Sequence, residues 1–99
     1  MEMIKLQERS DIAAALLKAL ANEKRFLIVC ILSQGEKNVG DLEKFVGLSQ
    51  SALSQHLARL RRDGIVDTRR EAQTIFYSIK DPAVPRLLEC MIAIYANEC

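Results

Sequence analysis

The sequence predicts a mainly α-helical fold completed by a β-hairpin (an α+β class). It is one domain over residues 1–99, in the order helix, helix, helix, helix, strand, strand, helix. Three observations carry this. Apolar residues recur at helical spacing in separate segments, several opened by a capping residue and closed by glycine. Two short stretches, 65–70 and 74–80, are rich in Ile, Val, Thr, Phe and Tyr and lie side by side late in the chain. Ninety-nine residues supply one hydrophobic core and not two.

Taken in order, Ile12, Leu16, Ala19 and Leu20 define an amphipathic helix over about 7–20. Asn22 offers the cap for a second, in which Phe26 to Leu32 are apolar almost all round, so it is expected at the centre of the core; Gly35 ends it. Asn38 caps a short third helix with Leu42, Phe45 and Val46 inward, stopped at Gly47. Ser49 caps a fourth over about 49–63, with Leu53, Leu57 and Leu60 on one stripe and Gly64 beyond it. The two strands follow, joined by a loop without the Asn-Gly or Asp-Gly that favours a tight hairpin. Asp81 and Pro82 open a last helix to about 97, with Pro85 confined to its first turn by its missing N–H.

Composition and charge narrow the function. With 49% hydrophobic and 27% charged residues the chain is globular, and its apolar run Phe26–Leu32, at seven residues, is far too short to cross a bilayer. Lys18 interrupts the N-terminal apolar stretch Ile12–Leu17, so no secretory signal is expected and the chain reads as soluble and cytoplasmic. An odd count of widely spaced cysteines (Cys30, Cys90, Cys99) argues against a disulfide framework. The single histidine, His56, and the lack of a glycine-rich phosphate loop leave no nucleophile–base pair, so an enzyme is not expected. Net charge is only +1, but residues 50–70 hold Arg59, Arg61, Arg62, Arg69 and Arg70 against Asp63 and Asp67. An arginine patch on a neutral body suits a polyanion, though it is also what a solvated surface looks like.

The helix over 49–63 sharpens this. With Leu53 at zero and about 100° per residue, Leu57 and Leu60 fall on the buried side. Ser51, Gln55, Ala58 and Arg62 cluster opposite, flanked by Ser54 and Arg59, with no acid before Asp63. These are side chains that contact base edges and phosphates, with a small residue allowing close approach. Gly47, Leu48 and Ser49 between two short helices are helix-turn-helix grammar. A partner-binding module would show apolar residues there instead. His56 falls at the edge of the buried side, where packing or a phosphate bond is its expected role. The last helix is apolar on more than one stripe (Val84, Leu87, Leu88, Met91, Ile92, Ile94, Tyr95), which suggests a two-fold partner presenting the same helix.

LSQSALSQHLARLRRDGIV (48–66), TRREAQTIFYSI (68–79) and ANEKRFLIVCIL (21–32) resemble the recognition helix, wing and second helix of ArsR-type winged helix-turn-helix transcriptional repressors. Within that family the similarity is to the HlyU/BigR-like branch, which responds to sulfide or persulfide. The resemblance implies a homodimer through the helices at about 7–20 and 82–97, bound to an inverted-repeat operator in double-stranded DNA, with the hairpin at about 65–80 as the wing. It implies that Gln50, Ser51, Ser54, Gln55 and Arg59 sit in or beside the major groove, that Arg62 meets phosphate, and that Arg69 and Arg70 act from the wing. Gln55 suits a bidentate contact to adenine.

Metal-sensing members of the family carry a Cys-x-Cys where this chain has Asn38 and Gly40, and the alternative zinc site needs histidine on the last helix, which is absent from residues 82–99. No metal or other cofactor is expected. The branch resembled instead uses one cysteine on the second helix, matching Cys30, and one near the chain end. There this sequence departs: the position after Tyr95 is Ala96, with Cys99 one turn on and Cys90 as the alternative. Reactive sulfur species are the implied effector. The residues alone favour the plainer reading, a repressor with structural cysteines, because no basic side chain lies at i±3 or i±4 of Cys30.

Overall fold

The computed structural model describes residues 2–96. Among these described residues there are six helices and a three-stranded antiparallel sheet: α1 (Glu2–Glu8), α2 (Ser10–Leu20), α3 (Glu23–Leu32), β1 (Lys37–Asn38), α4 (Val39–Val46), α5 (Gln50–Arg62), β2 (Val66–Glu71), β3 (Thr74–Ile79) and α6 (Ala83–Tyr95). The core is built from Ile28 and Val29 of α3, Leu42 of α4, the Leu53–Leu57–Leu60 stripe of α5, Ile65 and Val66 at the entry to β2, and Val84 of α6, each at most 2% exposed. This is the expected mainly α fold with a hairpin wing.

The caps do what their side-chain chemistry allows. Asn22 Oδ1 accepts from the N–H groups of Lys24 and Arg25 at 2.9 and 3.1 Å, and Asn38 Oδ1 from Asp41 N–H at 2.8 Å. Ser49 Oγ accepts from Ala52 N–H at 3.2 Å. Gly47 closes α4 in the left-handed region (φ 74°), donating to the Glu43 carbonyl. Pro85 stands at the third residue of α6, within its first turn.

The structure corrects three expectations. The helix expected over 7–20 starts at Glu2 and is broken at Arg9, whose backbone (φ −112°, ψ 24°) leaves the helical region. Ser10 and Asp11 favour a helix start over a helix interior, and apolar periodicity does not register that preference. Phe45, expected inward, is 62% exposed, because the short α4 turns only Leu42 and Val46 into the core. The sheet has a third strand: β1 pairs with β3 (Lys37 opposite Tyr77, Asn38 opposite Phe76), so the strand order is β1-β3-β2. The hairpin itself turns through Ala72 at φ 56°, a left-handed conformation taken without glycine.

Apolar side chains remain uncovered at both ends of the chain. Met3, Ile4, Leu6, Ile12 and Leu17 on α1 and α2, and Ile92, Ile94 and Tyr95 on α6, are each more than half exposed. No helix among the described residues is long and apolar enough to cross a membrane.

Candidate nucleic-acid interface

The sequence between Asn38 and Arg62 folds as two capped helices with a three-residue joint. Gly47 reverses the chain, Leu48 is half-buried, and Ser49 in extended conformation starts α5. Three leucines anchor α5 at the core, so its opposite side is held outward by burial rather than by its own polar residues. Ser51, Ser54, Gln55 and Arg62 are exposed there, as is Ala58; Gln50 is exposed in the first turn nearer the leucine side, and Arg59 and His56 are half-buried. No acidic residue occurs within α5.

Its arginines differ in their partners. Arg59 Nε donates to Asp63 Oδ2 at 2.8 Å, and Arg62 Nε lies 3.5 Å from Asp63 Oδ1. The hydrogen bond from Arg59, reinforced by the charges of both guanidinium groups, holds the Asp63 carboxyl below its ordinary range. Arg61 has no ion pair among the described residues. Together with Ser54, Ala58, Arg62 and Tyr77, it lines an open cleft of about 480 Å³ between α5 and the sheet. The sequence places Arg61 in the arginine patch without a contact of its own and does not single out Tyr77. Arg61 projects beside Ser54 on the helical wheel and could have been found there, whereas Tyr77 joins only through the fold.

On the wing, strand alternation separates the two arginines. Val66, Thr68 and Arg70 share one face of β2, the face Val66 buries against the core, and Asp67, Arg69 and Glu71 share the other. Arg69 lies across its cross-strand neighbour Phe76, with the guanidinium carbon 4.5 Å from the ring centroid. From there it reaches Glu36 by a two-pronged contact, Nε to Oε2 at 2.8 Å and Nη2 to Oε1 at 2.7 Å. Its Nη1 donates to Glu71 Oε2 at 2.8 Å. The bond from Arg69 draws the Glu36 carboxyl below its usual range, and both carboxylates push the Arg69 pKa up. Arg70 makes no ion pair among the described residues.

Away from this face, Cys30 lines an apolar groove of about 560 Å³ between α3 and α6, with Phe26, Met91, Ile92, Tyr95 and Ala96 among its walls. Burial raises the Cys30 thiol pKa. Cys90 is exposed on α6 and does not line the groove; Cys99 lies outside the described residues. Among the described residues no group of three or more His, Cys, Asp and Glu side chains could hold a metal ion. Asn38 is engaged as the α4 cap.

Residues 22–68 match the family described as "Bacterial regulatory protein, arsR family". The transcriptional activator HlyU of Vibrio cholerae is 48% identical over 97 residues, which is 98% of this chain and 90% of HlyU. The reduced form of that protein superposes with a TM-score of 0.85 at 49% identity, over 92% of this chain and 96% of its own. The transcriptional repressor BigR of Xylella fastidiosa gives a TM-score of 0.92 at 38% identity, covering 96% and 97% of the two chains. A homodimeric winged helix-turn-helix DNA-binding domain, Mb0332 of Mycobacterium bovis, gives 0.77 at 33% identity, over 93% of this chain and 84% of its own.

Proposed function

The chain belongs to the arsR family of bacterial regulatory proteins, a DNA-binding family and not an enzymatic one, and from that premise we propose that it acts as a homodimeric transcriptional regulator on an inverted-repeat operator. One observation carries the reading: α5 presents an exposed, acid-free row of hydroxyl, amide and guanidinium groups while its leucines are locked in the core. Gln50, Ser51, Ser54, Gln55 and Arg59 address the major groove; Arg61, Arg62 and, from the wing, Arg70 meet phosphate. The uncovered apolar residues of α1, α2 and α6 are the surface a second copy buries, in keeping with the homodimeric Mb0332 domain. Two-fold symmetry then spaces the α5 helices about 34–36 Å apart, one turn of duplex.

Salt dependence tests this. Arg61, Arg62 and Arg70 of two protomers together neutralise six phosphates, so affinity falls by roughly 10³ between about 50 and 200 mM salt. A flat response removes the nucleic-acid reading.

A second input, oxidation or persulfidation of Cys30 with Cys99 (Cys90 as the alternative), is supported by the groove that holds Cys30 against the C-terminal end of α6. A link across that groove ties α3 to α6 and alters the spacing of the two recognition helices. Its effector is a reactive sulfur species acting in the cytoplasm, with no metal or cofactor. Mass spectrometry of reduced protein exposed to sulfane sulfur checks it: a Cys30-containing cross-link with weakened operator binding is expected. Unchanged mass and unchanged binding leave a repressor with structural cysteines.

A further inference from the structure

We propose that Arg69 positions the wing rather than binding DNA, with Glu36 as the partner through which it acts. The inference rests on the DNA-binding reading above and divides the labour between two adjacent arginines. Glu36 immediately precedes β1, and β1 runs directly into Asn38, the cap of α4. Arg69 is on the far strand of the sheet, with β3 between them. Its side chain spans that middle strand over Phe76, so one planar group joins the start of the helix-turn-helix to the hairpin. A guanidinium suits this span because its fork meets a carboxylate along two parallel bonds while its flat face stacks on a ring.

Two geometric facts set Arg69 apart from a phosphate contact. Three of its five N–H donors are bonded to two carboxylates, Glu36 and Glu71, which place two negative charges beside one positive. It also lies on the sheet face opposite Val66 and Tyr77, whereas Tyr77 lines the cleft with α5. Arg70 is on the same face as Val66 and Thr68, without an acidic partner among the described residues, and is the wing's contribution to the duplex.

Salt slopes separate the roles. The probe is a fluorescein-labelled duplex about three turns long, selected by the wild-type protein from random sequence. Arg70→Gln is expected to flatten the log–log slope by roughly two per dimer, one phosphate being lost from each protomer. Arg69→Gln and Glu36→Gln are each expected to leave the slope unchanged and weaken binding roughly two- to fivefold at every salt concentration. The charge swap Glu36→Arg with Arg69→Glu is expected to recover affinity beyond either Gln variant. If Arg69→Gln flattens the slope as Arg70→Gln does, Arg69 meets phosphate and the positioning role is wrong. If Glu36→Gln tightens binding, Glu36 merely competes with DNA, and the role is equally wrong. A flat wild-type slope would instead overturn the DNA-binding reading itself.

Discussion

Arg25 Nε donates a 2.7 Å hydrogen bond to the carbonyl oxygen of Ala19, and its Nη2 reaches the Lys18 carbonyl at 3.4 Å. The last carbonyls of a helix have no partner within it, so a cation from the next helix both satisfies them and opposes the negative end of the dipole. This bond fixes how α2 leaves the core just where Ala19 and Leu20 are buried. Arg25→Ala should cost about 1–2 kcal/mol in urea unfolding, part of it in lost packing of the stem. Arg25→Lys should not restore it fully, since an ammonium cannot reproduce the planar fork.

The hairpin turn carries backbone strain that glycine would relieve. Ala72 holds φ 56° on an exposed turn, where a Cβ costs about 1–2 kcal/mol. Ala72→Gly returns part of that gain through the extra freedom of the unfolded chain. A net stabilisation of about 0.5–1 kcal/mol is expected, read as a melting temperature higher by a few degrees. A lower melting temperature would show that the turn is unstrained.

Proton binding reports on the wing contact. Hydrogen bonding from Arg69 lowers the Glu36 pKa beneath its ordinary 4.5, so this group's stabilisation is fully present above that value and is lost as pH falls through the depressed folded value. The carboxyl carbon of Glu36 should therefore titrate below 4.5 by NMR and move back toward it in Arg69→Gln. A midpoint at the ordinary value in the wild type contradicts the contact.

The thiols differ in access. Cys90 is exposed, whereas Cys30 is half-buried and its pKa lies above the ordinary 9.0 because burial disfavours the thiolate. Limited alkylation of the reduced protein at neutral pH should mark Cys90 before Cys30 in a peptide map. Faster labelling of Cys30 would mean that the groove activates its thiol.

Base reading at Gln55 is separable from phosphate attraction. Gln55→Ala should reduce the preference for a selected duplex over random sequence by about 1–3 kcal/mol, the value of one bidentate adenine contact. Binding to random duplex should hardly change. Equal weakening of both would assign Gln55 to the backbone.

Much of the fold was legible in the sequence because its signals are local. Asn22, Asn38 and Ser49 cap helices through bonds that span two or three residues, and the leucines of α5 fall on one stripe by helical period alone. The break at Arg9 escaped because residues 7–11 are all polar, so apolar period carries no signal there. The strand β1 escaped because two residues carry no period, and it exists only through pairing with Tyr77 and Phe76.

The candidate interface divides the same way. Sequence by itself determined which side of α5 carries polar groups, since its buried leucines fix the rest by geometry. The pairing of Arg59 with Asp63, four residues apart, follows from helical spacing, but only the tertiary structure decided that Arg69 is engaged. Arg69 meets Glu36 across 33 positions of chain, and no short-range rule connects residues brought together by closing a sheet. Charge counting treats five arginines as equivalent; folding commits some to carboxylates and leaves others open to a polyanion, because each guanidinium binds the nearest acid its strand or helix face allows.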